Sequence, residues 1–192
     1  MPLKIMLVDS DRGRGALLRR ALEDVGHEVD VCRARGLDLL TQLRQSAANV
    51  VIIDMEMPDR DTLESLRSIS RENPRPVVMY ADKTDAQTTT AAIKAGVSAY
   101  VVGEVNAERV RPIVEVAIAR FGEFQALREE LERTQNTLAE RKVVERAKGL
   151  LMQRRKMDEQ TAYATLRKLA MDRNQRLVDV ARTLIELSDV LG

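Results

Sequence analysis

The chain has 192 residues, with 31 Lys and Arg against 30 Asp and Glu, 44% hydrophobic residues and 32% charged ones. That balance describes a folded, soluble protein rather than a disordered one, long enough for a domain of about 100–150 residues plus a smaller appendage. No apolar run approaches the roughly 18–20 residues that cross a bilayer, and a single Cys and a single His exclude an internal disulfide and a Cys/His zinc cluster.

The first half alternates two periodicities. Leu3–Val8 is an apolar run stopped by Asp9 and reads as a buried strand. Leu17, Leu18, Ala21, Leu22 and Val25 recur at helical spacing, and Gly26 ends that helix. A strand at Glu28–Cys32, a helix at Leu37–Gln45 and the strand Val-Val-Ile-Ile-Asp ending at Asp54 follow. Then come a helix near Leu63–Ser70, a strand at Val77–Tyr80, a helix at Ala86–Ala95 and a strand at Ala99–Val102. Five strands alternating with helices predict a parallel sheet covered on both faces, an α/β flavodoxin-like fold with right-handed crossovers.

In such a sheet, chemistry collects beyond the carboxyl ends of the strands. Two strands end in carboxylates, Asp9 and Asp54, and a flavodoxin-like strand order makes them neighbours, with Asp11 close in sequence. Converging carboxylates suit a hard cation such as Mg²⁺. Equally, Asp ends strands because it favours turns. His27, the only base available to a Ser or Cys nucleophile, falls in the turn-like segment Val25–Glu28 and reads as a solvated loop residue. The absence of a Gly-rich phosphate loop completes the case against an enzyme of its own.

From Val110 the helical pattern runs on without a clear break. Val110, Ile113, Ala117, Phe124, Leu127, Leu131, Thr134 and Leu138 fall mostly at three- and four-residue steps, with charged residues between them. That spacing predicts a coiled coil that joins two copies in parallel, with Ala117, Phe124, Leu127, Leu131 and Leu138 in the seam. The same stripe also fits a single helix folded back on its own sheet.

Charge divides the chain unevenly: residues 1–107 and 108–140 each carry a net −2, whereas residues 141–192 carry +5. The basic segment reads as three short helices. Arg141–Arg155 carries Val144, Ala147 and Leu151 on one face and is interrupted by Lys156-Met157-Asp158, with Asp158 as the next N-cap. Glu159–Met171 carries Ala162, Leu166 and Leu169, and a turn with Asn174 leads to a final stripe of Leu177, Val180, Ala181, Leu184, Ile185 and Leu187. The expected domains are therefore 1–107, 108–140 and 141–192. Lys148, Arg155, Tyr163, Arg167, Lys168 and Arg173 are the candidates for gripping an anionic partner, Tyr163 by stacking on an unpaired base. A core role fits Tyr163 equally well. On residues alone, a DNA-binding helix-turn-helix and an RNA-binding unit both remain open.

Two resemblances narrow the reading. Residues 1 to about 107 resemble the receiver domain of bacterial response regulators, through Leu7-Val8-Asp9, Asp54-Met55-Glu56-Met57-Pro58-Asp59 and Ala95-Gly96-Val97-Ser98-Ala99-Tyr100-Val101-Val102. The resemblance implies that Asp54 is the position of a phosphoryl acceptor and that the acidic pocket, Asp9, Asp11 and Asp54, binds Mg²⁺. Three positions depart from that pattern. The usual adjacent acidic pair reads Asp9-Ser10-Asp11, the Thr or Ser after the fourth strand is Ala81, and the Lys after the fifth is Gly103. A hydroxyl and a cationic contact to phosphate are therefore absent, which implies that Asp54 is vestigial and that protein contacts control the module.

Residues 138–190 resemble an ANTAR domain through Glu145-Arg146-Ala147-Lys148-Gly149-Leu150-Leu151-Met152, Asp158-Glu159-Gln160-Thr161-Ala162-Tyr163, Leu166-Arg167-Lys168-Leu169-Ala170-Met171 and Leu177-Val178-Asp179-Val180-Ala181. ANTAR domains are three-helix RNA-binding modules of transcription antiterminators. The whole arrangement most resembles the nitrate-assimilation antiterminators of the NasT type. It implies a cytoplasmic homodimer that binds paired leader-RNA hairpins and is gated by a nitrate- or nitrite-binding sensor protein, with no cofactor required. The competing expectation is a phosphorylation-switched regulator with a DNA-binding output.

Overall fold

The computed structural model describes residues 2–9, 13–33 and 36–190, excepting the side chains of residues 36, 37 and 190. Strands and helices alternate as β1 (Lys4–Asp9), α1 (Arg14–Glu23), β2 (Glu28–Cys32), α2 (Gly36–Gln45), β3 (Val50–Met55), α3 (Arg60–Glu72), β4 (Val77–Ala81), α4 (Ala86–Lys94) and β5 (Ala99–Val102). Three helices follow: α5 (Ala107–Arg155), α6 (Glu159–Asp172) and α7 (Leu177–Val190). The chain forms two compact units that meet between Gln125 and Ala126, inside α5.

In the N-terminal unit the strands pair in parallel in the order β2-β1-β3-β4-β5. This is the flavodoxin-like arrangement expected from the sequence. Its central strands read as nearly continuous apolar runs because both sheet faces are buried. Met6, Val8, Val51, Ile53 and Met79 meet Leu39 and Leu43 of α2, Leu66 and Ile69 of α3 and Ala92 of α4. The alternate residues Ile5, Leu7, Val50, Ile52, Val78 and Tyr80 meet Leu18 and Leu22 of α1 and Val110, Val114 and Ala117 of α5.

That second face corrects one expectation. Ala117 is wholly buried in the core of the N-terminal unit, so it is not available to a dimer seam. Fold-back onto the sheet accounts for α5 as far as Ala117. Farther along, Phe124, Leu127, Leu131 and Leu138 are each more than half exposed. The spacing continues while the environment changes.

In the C-terminal unit, the end of α5 packs with α6 and α7 around Ala147, Leu151, Ala162, Leu166, Ala170, Val180 and Ala181. The alanines allow close approach of the helix backbones. Lys156, at φ +52°, ends α5, and Asn174, at φ +51°, ends the turn after α6, both in the left-handed region that commonly closes a helix. Asp158 caps α6, its carboxylate accepting from the Thr161 N–H at 2.7 Å. Leu187, expected in the apolar stripe, is instead exposed. Among the described residues, no helix is long and apolar enough to cross a membrane.

The Asp158 cap carries a pH signature. Accepting the Thr161 N–H, and then its hydroxyl, holds this carboxyl below its ordinary value. A depressed folded-state pKa contributes stability above the unfolded pKa, and that stability disappears as pH falls through the folded one. Denaturation midpoints of the C-terminal unit should therefore fall on acidification, and Asp158→Asn, which keeps a capping oxygen without a titrating group, should flatten this part of the profile. Asp158→Ala should lower the midpoint at neutral pH as well.

Candidate functional site

β1 and β3 lie side by side with Asp9 and Asp54 as Cα partners, so two strand ends carry carboxylates to one edge of the sheet. Asp54 is wholly buried and Asp9 half-buried. Asp11, the third expected metal ligand, lies outside the described residues. A different carboxylate completes the group: Asp82, directly after β4.

Between Asp54 and Asp82 sits Arg14, the first residue of α1. Its Nη2 lies 2.5 Å from Asp54 Oδ1, its Nη1 pairs with Asp82, and Nη2 also donates to the Met55 carbonyl at 3.2 Å. Gly13 precedes it at φ +79°, and a Cβ on the following Gly15 would fall on the Asp9 carboxylate. The first glycine lets the chain turn tightly into α1, and the second lets the helix backbone approach Asp9. At that distance the partial positive charge of the helix N-terminus acts on Asp9.

Burial pushes the Asp54 carboxyl above its ordinary value; the Arg14 guanidinium opposes this, while the charges of Asp9 and Asp82 reinforce it. Tyr80, the Cα partner of Asp54 on β4, is held neutral, its phenol pushed up to about 12 by burial and by the Asp54 charge. Ala81 contributes only a buried methyl at the end of β4. Gly103 stands at φ +98° with open space where a side chain would project. A lysine there would meet no obstruction, but its backbone would be strained. Among the described residues, no group of three or more His, Cys, Asp and Glu side chains is arranged to hold a metal ion. With Arg14 engaging both Asp54 and Asp82, the described pocket does not fit Mg²⁺.

The second set of candidate residues lies in the C-terminal unit. Arg155 ends α5; Tyr163, Arg167 and Lys168 lie on α6, and Arg173 is its C-cap. Arg155, Arg167, Lys168 and Arg173 are exposed and, among the described residues, have no ion-pair partner. Arg141, Lys142 and Lys156, which the sequence reading did not single out, are exposed and unpaired in the same way. Tyr163 stands one helical turn before Arg167 and is exposed, outside the core cluster. Arg155 precedes and Arg173 follows α6, a helix of 14 residues, about 20 Å long.

Lys148 differs from the rest. It is only 7% exposed, and its Nζ lies 2.9 Å from Glu145 and 2.7 Å from Glu159. Hydrogen bonds to Glu159 and Glu145 raise its pKa, so it is a neutralised structural cation that joins α5 to α6. This corrects the expectation that Lys148 stands open to an anionic partner. Arg176 is also engaged, with Asp179 at 2.9 Å and Glu140 at 3.2 Å.

Comparison with known proteins assigns both units. Residues 5–115 match the response regulator receiver domain, and residues 132–185 match the ANTAR domain. The transcriptional regulatory protein PdtaR of Mycobacterium tuberculosis is 28% identical over 186 residues, covering 97% of this chain and 91% of that protein. A nitrate regulatory protein of Klebsiella oxytoca is 46% identical over 63 residues, covering 33% of this chain but 16% of that protein. Among solved structures, a CheY-like response regulator receiver domain protein from Methanospirillum hungatei aligns with a TM-score of 0.55 and 20% identity, over 64% of this chain and 98% of that one. This last likeness establishes the fold of the N-terminal unit.

Proposed function

Because this chain belongs to the response regulator receiver family and carries an ANTAR domain, we propose that it is a cytoplasmic RNA-binding transcription antiterminator that grips paired hairpins in a leader transcript. In this reading residues 1–107 receive the signal, residues 108–140 join two copies, and residues 141–192 bind RNA. The observation that carries it is the group of exposed, unpaired cations Arg155, Arg167, Lys168 and Arg173 in a segment, residues 141–192, of net charge +5. Guanidinium and ammonium groups without carboxylate partners are available to neutralise phosphates, and a half-exposed Tyr163 beside Arg167 offers a face to an unpaired base.

The signal reaches the receiver through a protein contact: a sensor sequesters the regulator and releases it on binding nitrate or nitrite. The stretch of strong identity to a nitrate regulatory protein supports that signal class. Arg14 in the acidic pocket, Ala81 and Gly103 speak against a phosphorylation-switched regulator with DNA as its target. The relative that matches nearly the whole length of this chain is named a transcriptional regulatory protein, which supports a regulatory role.

Filter binding to a two-hairpin leader RNA across a range of salt concentrations tests the reading. Arg167→Ala combined with Lys168→Ala should weaken binding by about 10²–10⁴-fold, given about 1.5–3 kcal/mol for each charge-assisted contact. The slope of log affinity against log salt should fall by about 1 for each phosphate contact removed. Binding confined to low salt and indifferent to scrambling of the hairpin loops would overturn the proposal.

A further inference from the structure

The acidic pocket of the receiver unit brings together three carboxylates, and an arginine of the same chain stands between two of them. Asp54 and Asp82 share the two terminal nitrogens of Arg14, and Asp9 lies against the first turn of α1, beside Gly15. Arg14 also takes the Met55 carbonyl, a backbone oxygen at the same pocket. A guanidinium with two carboxylates and a carbonyl around it fills the role of a hard cation, which likewise gathers several oxygens. Arg14 already holds Asp54 Oδ1, so an ion seated on that oxygen would have to displace it from a wholly buried carboxylate. That would leave a guanidinium with only 15% of its side chain exposed without its partners.

We propose that Arg14 is a tethered cation that takes the place of a soluble divalent metal ion in the receiver pocket and makes the unit insensitive to Mg²⁺. The flanking glycines are part of the device. Gly13, in the left-handed region, starts α1 immediately before Arg14 and sets where the arginine leaves the backbone. Gly15 gives Asp9 the space that a side chain would take. Asp54 is therefore a structural carboxylate bound to Arg14, and the pocket has one charge arrangement rather than an ion-free and an ion-bound one. The proposal concerns the receiver unit alone and stands whether or not the output domain binds RNA.

Manganese titration of the full chain, followed by the paramagnetic resonance of the free ion, tests it. The native protein should leave the Mn²⁺ signal undiminished, whereas Arg14→Met should take up one ion per chain, and the double variant Arg14→Met/Asp54→Asn none. Thermal melting supplies an independent arm. Without divalent ions, Arg14→Met strands a buried carboxylate and should melt roughly 10 °C lower than the native chain. Added Mg²⁺ should restore much of that loss, and Asp54→Asn in the same background should restore it without metal. The native melting temperature should not respond to Mg²⁺. Uptake of one Mn²⁺ by the native chain, abolished by Asp54→Asn, would overturn the proposal. So would an Arg14→Met chain that melts at the native temperature and gains no ion. If Arg14→Met alone does not fold, the native titration and the double variant decide the question.

Discussion

In the coiled-coil dimer proposed above, Leu127→Asp together with Leu131→Asp should separate the two copies and weaken binding to a two-hairpin RNA by about 10²–10⁴-fold, the range over which a second tethered contact raises avidity. Phe124, Leu127, Leu131 and Leu138 lie on one stripe of α5 and each is more than half exposed. With Thr134 they complete two heptads, and an aspartate at adjacent seam positions places like charges opposite each other in a parallel pair. The neighbouring charges are tied within the helix, Arg128 to Glu132 at 3.2 Å and Arg133 to Glu129 at 3.1 Å, so they frame the apolar stripe without covering it. In the proposed dimer the two C-terminal units would hold two hairpins at once, and the loss of pairing would leave each to bind alone. Sedimentation equilibrium reads the mass and filter binding reads the affinity. The circular dichroism melt of the N-terminal unit should be unchanged, since neither leucine belongs to its core. A variant that retains dimer mass would place the interface elsewhere.

The same stripe shows what a sequence reading can and cannot resolve. Spacing alone placed Ala117 with Phe124, Leu127, Leu131 and Leu138, because a helix that packs on a sheet and a helix that packs on another helix have the same apolar period. Only the tertiary arrangement reveals that Val110, Val114 and Ala117 close the N-terminal core and that the exposed stripe begins later. The adjacency of Asp9 and Asp54 was legible, since it follows from strand order and from carboxylates at the ends of two apolar runs.

Arg14 was not legible. One arginine among several near the start of α1 carries no periodic signal, and its partners Asp54 and Asp82 lie 40 and 68 residues away in sequence. The only local hint is the pair of glycines on either side of it. Lys148 was misread for a similar reason: its partner Glu159 belongs to the next helix, so a lysine on a basic segment looked exposed when it is nearly buried. The helix boundaries in the C-terminal unit were easier, because Asp158 and Asn174 act locally, through a side-chain cap and a left-handed backbone.

Leu166→Ala should unfold the C-terminal unit at a temperature where the N-terminal unit remains folded. Leu166 is 0% exposed and stands at the centre of a cluster in which four of the seven buried residues are alanine. Truncating a buried leucine costs about 2–5 kcal/mol through lost transfer energy and the cavity left behind. A unit of this size has a total stability of only a few kcal/mol from its own core, so that loss is comparable to the whole. The N-terminal unit buries two apolar layers against a five-stranded sheet and shares none of these contacts. Differential scanning calorimetry should therefore show the native chain's C-terminal transition lost or shifted far down in the variant, with the N-terminal transition in place. RNA binding should be lost with the first. Leu187→Ala is the matched control: at 56% exposure it removes the same side chain from solvent-facing surface and should change stability by no more than about 0.5 kcal/mol. One cooperative transition in both variants would mean that α5, continuous through both units, couples their unfolding into a single event.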